Sequence, residues 1–174
     1  MAKVEQLSAA DRDKLVAEVN EAIQTYSTNI TAAMWRYVND GTPVDYDAPG
    51  GSFFSFPMLL VVGPTEGGAG NKISLVDRTE MDGQLCPQYT RYKKEGWGGQ
   101  VNIDTLNISI VTSEDAVVET KGRRFKTDES VLNRWEGCYW MRRRNGAWKA
   151  IAVLITEPPL PSIQAWMAWI SNIL

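Results

Sequence analysis

The sequence predicts an α+β fold: a C-terminal antiparallel meander covered by helices that precede it. Three observations predict this. Four strand-like runs follow one another over 101–111, 116–126, 131–143 and 147–156. Short polar turns separate them: Thr112-Ser113-Glu114-Asp115, Thr127-Asp128-Glu129-Ser130 and Asn145-Gly146. Asn-Gly between apolar runs is a strong hairpin signal, because both residues tolerate positive φ. Finally, a long amphipathic stripe precedes the runs. A meander buries one face and needs such a cover.

The elements follow in order. Ser8-Ala9-Ala10-Asp11 reads as an N-cap and an acidic first turn. Leu15, Val19, Ile23, Tyr26, Ile30, Met34 and Tyr37 then recur at helical spacing. Asn39-Asp40-Gly41, with Pro43 beyond, ends this helix. Ser27-Thr28-Asn29 is poor helix material and marks a place for a bend or split. Residues 42–52 form a loop rich in Pro, Gly and Asp. Phe53 to Val62 reads as a strand, with Pro57 favouring an edge position or a bulge. Residues 63–71 read as a flexible loop, and Ile73-Ser74-Leu75-Val76 as a second strand. Asp77 or Thr79 caps a helix to about Glu95, with Gly83 and a kinking Pro87 inside it. Gly96-Trp97-Gly98-Gly99 ends that helix. After Pro158-Pro159 and Pro161, Ser162 caps a last short helix over about 162–173. Its face of Ile163, Trp166, Met167, Ile170 and Ile173, and the neighbouring Trp169, need a surface to cover.

Composition narrows the function. A chain of 174 residues fits one domain, 1–174, with no linker or internal repeat. A net charge of −3 argues against a nucleic-acid partner. The longest apolar run, Met58 to Val62, is strand-sized, so no membrane span is expected. Met1-Ala2-Lys3-Val4-Glu5 has no signal-peptide core, which places the protein in the cytoplasm. Cys86 and Cys138 are then buried thiols. With no histidine, Ser-His-Asp and Cys-His pairings and the usual zinc and iron ligand sets are out of reach. Any acid or base is a carboxylate, tyrosine, lysine or cysteine. No metal and no cofactor are expected. Gly70-Asn71-Lys72-Ile73 breaks the P-loop pattern. Arg142-Arg143-Arg144 flanks a tight turn and reads as a solvated tip.

Glu114-Asp115-Ala116-Val117-Val118 and the hairpin Tyr139-Trp140-Met141-Arg142-Arg143-Arg144-Asn145-Gly146-Ala147-Trp148-Lys149-Ala150-Ile151 carry a resemblance. So does Phe56-Pro57 with the apolar run after it. Over about residues 8–156 the chain resembles the nuclear-transport-factor-2-like (SnoaL-like, cystatin-like) superfamily. The resemblance implies a sheet curled around the helices, a cone open at one end, and a small-molecule pocket. Members range from isomerases, cyclases and hydrolases to proteins without known catalysis. Some isomerases of the superfamily use a helix tyrosine, an aspartate soon after it and an acidic group on a late strand. Tyr26, Asp45 or Asp47, and Glu136 occupy such places here. The resemblance also implies a homodimer paired through the outer sheet face; the tail helix, which lies beyond the resemblance, is expected by its apolar face to pack on the sheet, cap the pocket or meet a second subunit.

Strand parity refines the candidates. Trp135, Gly137, Tyr139 and Met141 share the face read as core or pocket. Gly137 leaves room for a ligand or for curvature. Arg134, Glu136, Cys138 and Trp140 share the other face, where Glu136 can pair with Lys121 or Arg123. The expected lining is Tyr26, Ile30, Phe56, Trp135 and Tyr139. For Tyr26 the plain alternative is a core tyrosine, and for Asp45 and Asp47 a turn. Two functions follow. One is a cone protein that binds a small organic ligand and, if catalytic, isomerises, cyclises, dehydrates or hydrates it by carboxylate or tyrosine acid–base chemistry. The other is a non-catalytic ligand-binding or accessory domain. Metal analysis of protein purified without chelator should find no stoichiometric ion; one ion per chain would refute the metal-free reading.

Overall fold

The computed structural model describes residues 7–46, 53–65 and 72–157. Helix α1 spans Ala9–Asp40. Ser8 caps it by accepting from the Asp11 N–H, and Gly41 closes it at φ 74°, donating to the Tyr37 carbonyl. It runs unsplit through Ser27-Thr28-Asn29, where a bend or split is expected from the sequence. Packing along the stripe outweighs weak local propensity there. Leu15, Val19, Ile23 and Met34 are buried, while Ile30 is half-buried.

Strand β1 (Phe54–Thr65) is followed by β2 (Lys72–Val76). Helix α2 (Arg78–Lys94) starts with a reciprocal capping box between Asp77 and Glu80 and continues through Pro87. Strands β3 (Trp97–Ile110), β4 (Asp115–Lys126), β5 (Val131–Arg144) and β6 (Ala147–Glu157) complete the described chain. They form the predicted antiparallel meander, with Asn145 and Gly146 both at positive φ in its last turn.

The sheet order is β2-β1-β6-β5-β4-β3. β1 pairs with β6 in parallel, so the curved sheet is mixed and not antiparallel throughout. A parallel neighbour needs a long crossover, and β2, α2 and the meander supply it. Pro57 therefore lies on an interior strand and not at an edge. It follows a cis bond from Phe56, and the β1–β6 register slips between Phe54 and Leu59, so the missing N–H falls at an irregularity. β1 continues to Thr65, past the Gly63 where a loop was expected, and β3 begins at Trp97, before the expected 101. Gly99 makes the early start possible. It sits at φ 77°, and a Cβ there would stand 2.7 Å from the Trp35 ring. The tail helix expected over 162–173 lies outside the described residues.

α1 packs against both β3, at the sheet edge, and β6, in its interior. The main core joins Val19 and Ile23 to Met58, Val118, Met141 and Ala150; a second cluster gathers Met34, Tyr89, Tyr92 and Trp97. Ile23→Ala should cost ~2–5 kcal/mol, read from the denaturant midpoint. A loss below about 0.5 kcal/mol would mean that the stripe does not face the sheet.

Candidate functional site

Strand parity carries Trp135 and Tyr139 of β5 and Thr120 and Arg124 of β4 to the concave face, where each is buried. With Tyr26 and Ile30 of α1 and Tyr89 of α2 they line an inner cavity of about 60 Å³. Trp135 lies against Gly122, where a Cβ would come within 2.6 Å of the indole and 2.5 Å of the Asn102 carbonyl. The space beside Gly137 is already taken: a Cβ there would meet Thr120 Oγ1 at 3.1 Å and the Tyr139 ring at 3.3 Å. It shapes the wall and leaves no ligand room of its own.

Below the cavity lies a buried ion pair. Arg124 Nη1 donates to Glu157, and both side chains are about 5% exposed (5% and 6%). Tyr92 also donates to Glu157, Asn133 bridges the two charged groups at 3.2 Å each, and Arg91 stands 3.8 Å from the carboxylate. The Arg124 guanidinium lies 4.7 Å from the Tyr92 ring centre, 5.6 Å from Tyr89 and 5.8 Å from Trp135. Burial, with Tyr139 close by, pushes the Tyr26 hydroxyl well above its ordinary pKa; burial first, then Tyr89, raises Tyr139. Both stay protonated at neutral pH, so each hydroxyl keeps a proton it can donate.

Tyr26 also borders an outer cleft of about 600 Å³ between α1, the residues Asp45, Tyr46, Phe53 and Phe54, and the β5–β6 hairpin. Its ring stacks on Phe53 at 4.0 Å and meets Phe54 and Tyr139 edge-on. On the cleft wall Glu18 accepts from Trp148 Nε1 at 3.2 Å and pairs with Arg143 at 3.2 Å.

A family model described as NTF2-like protein (DUF6841) matches residues 17–158. The chain belongs to this NTF2-like family. Solved structures agree on the fold. An NTF2-like protein with a cystatin-like fold from Novosphingobium aromaticivorans is 11% identical at TM-score 0.53, over 95% of this chain and 97% of that one. A hexachlorocyclohexane dehydrochlorinase, LinA-type3, from Novosphingobium barchaimii is 13% identical at TM-score 0.53, over 87% and 92%. A protein of unknown function with a cystatin-like fold from Nostoc punctiforme is 15% identical at TM-score 0.50, over 90% and 98%. No curated protein matches the sequence. At these identities the likeness is one of fold.

Within this NTF2-like cone, Tyr26, Ile30, Trp135 and Tyr139 meet at the inner cavity. Phe56 does not line it. It packs with Tyr46 and Phe54, under the Arg78 guanidinium at 5.6 Å, in the stretch of β1 where the register with β6 slips. Asp45 is exposed on the rim of the outer cleft that Tyr26 borders, and Asp47 lies outside the described residues. Glu136 faces the outer side of the sheet and pairs with Lys121 at 3.0 Å, so it shares no cavity with Tyr26. Arg142, Arg143 and Arg144 form the expected solvent-facing tip, held by Asp115, Glu18 and Ser55. Among the described residues no group of three or more acidic or cysteine side chains could hold a metal, and no helix is long and apolar enough to cross a membrane.

Sequence reasoning missed Arg124 and Glu157. Arg124 was legible: it shares parity with Ala116, Val118 and Thr120, which marks an inward charge in need of a partner. Glu157 was not, because the β5–β6 register slips between Trp140 and Met141 and resets parity along β6. Arg124→Met or Glu157→Gln alone should cost ~3–5 kcal/mol, since each strands a buried polar partner. The pair changed together to Met and Leu should cost clearly less than the sum in chemical denaturation; additive losses would show that the two charges are not coupled.

Proposed function

We propose that this chain is a small-molecule-binding NTF2-like protein, with residues 1–174 as one domain. In this reading a ligand lies in the outer cleft and sends one end past Tyr26 into the inner cavity. One observation carries it: Tyr26 and Ile30 border both spaces, and the inner one is walled by aromatic rings above a buried ion pair. An aromatic-walled cavity with a few polar groups is the usual form of a small-molecule site.

Binding is favoured over catalysis by what the inner cavity offers. No Asp or Glu lines it among the described residues. Burial raises Tyr26 and Tyr139, which hold their protons too tightly to act as bases at neutral pH. A second reading, a cofactor-independent isomerase, cyclase or dehydratase, draws support from the outer cleft, where Asp45 and Tyr26 border the same space. A homodimer through the outer face also belongs to this proposal. Leu75, Leu59, Ala152 and Trp140 form a row across β2, β1, β6 and β5, and Leu75, Leu59 and Trp140 are 65%, 40% and 47% exposed.

The test is a titration with Nile red, a neutral polarity-sensitive dye. Fluorescence should saturate near one dye per chain. Ile30→Trp, which fills the junction of the two spaces, should weaken binding at least about tenfold while the melting temperature stays close to that of the parent. Undiminished binding by a folded Ile30→Trp protein would place the ligand elsewhere. For the second reading, Asp45→Asn should abolish any turnover and leave dye binding intact.

A further inference from the structure

We infer that the inner cavity selects a neutral molecule by an acceptor oxygen, such as the carbonyl of a ketone, ester or amide. A hydrocarbon or a carboxylate of the same shape should be rejected. The inference rests on the cone being a ligand site, as proposed above.

The first argument is the supply of hydrogen bonds. Arg124 Nε and Trp135 Nε1 are buried and have no hydrogen-bond partner among the described residues. The two side chains line the same cavity, and their residues are 4% and 6% exposed. Both groups are donors only. The hydroxyls of Tyr26 and Tyr139 add donors to the same walls. Ser27, Thr31, Gln88, Tyr89 and Thr120 can give or take, so the lining is rich in donors, and no Asp or Glu lines it among the described residues. A buried donor left unpaired is costly, and about 60 Å³ is room for roughly two waters. A ligand that displaces them keeps those bonds with an acceptor and forfeits them with a methyl group.

The second argument is charge. Arg124 alone would invite a carboxylate, but Glu157 already neutralises it. A second carboxylate would leave one buried negative charge without a partner, which a low-dielectric site penalises heavily. A carbonyl takes the donors and adds no charge.

Acetophenone, cumene and benzoate separate these cases, being near-isosteres that are respectively a neutral acceptor, a hydrocarbon and an anion. Each is titrated into the full chain by ligand-observed NMR, with the indole N–H signals followed in ¹H–¹⁵N spectra. Acetophenone should bind at least roughly tenfold more tightly than either competitor, the difference expected from one or two satisfied donors. It should also move the Trp135 indole signal, assigned by triple resonance, where cumene does not. Trp135→Phe should level acetophenone and cumene; if that variant fails to fold, the indole shift in the parent protein decides. Equal binding of cumene, or tightest binding of benzoate, would overturn this inference and leave the cone reading standing. Failure of all three while Nile red still binds would do the same. Failure of all three together with Nile red would overturn both.

Discussion

The structure depends on fitting one long helix into a sheet too wide for it. Six strands span about 24 Å, whereas a helix with its side chains is about 10 Å across. A flat sheet would leave much of its apolar face in water. It curls instead, so that α1 reaches β3 at the edge and β6 in the interior. α2 covers what remains near β2 and β3. Curling makes a concavity that aliphatic side chains do not fill, and large rings complete it: Tyr26, Phe53, Tyr89, Trp97, Trp135 and Tyr139. Tyr26, Tyr89, Trp135 and Tyr139 among them wall the inner cavity.

The buried ion pair belongs to the same geometry. Arg124 comes from β4, Glu157 from the end of β6, Asn133 from β5 and Tyr92 from α2, so one polar cluster ties four elements together. Such a pair contributes little net stability, because desolvation offsets most of the attraction. Its effect is on specificity. Any register of β4 against β5 that moved Arg124 from Glu157 would strand a charge in the core. Surrounding rings place their faces toward the guanidinium, which makes the cost of enclosing it smaller.

Polarity is divided between the two spaces. Charged side chains, among them Glu18, Asp45 and Arg143, line the outer cleft, while among the described residues Arg124 is the one charged group on the inner cavity, and Glu157 pairs with it. Proton transfer needs a group whose pKa is near the working pH. Tyrosines raised by burial are far from that condition and well suited to holding an oxygen in place. Among the described residues, acidic side chains lie on the outer cleft and none lines the inner cavity.

By itself the sequence determined the meander, both helices and the inward face of β5. These follow from local rules: the 3.6 and 2.0 periodicities, the caps at Ser8 and Asp77, and the left-handed turn at Asn145-Gly146. It also placed Tyr26, Ile30, Trp135 and Tyr139 on inward faces, since a regular element carries parity along its length. Tertiary structure decided the parallel seating of β1 beside β6, the withdrawal of Phe56 from the cavity and the meeting of Arg124 with Glu157. Irregularities of register accompany them, between Phe54 and Leu59 of β1 and at Ile151 of β6, which pairs with no β5 residue. A bulge resets which way every later side chain points, and its position is set by the partner strand and the packing around it. Periodicity read along one chain cannot supply that information.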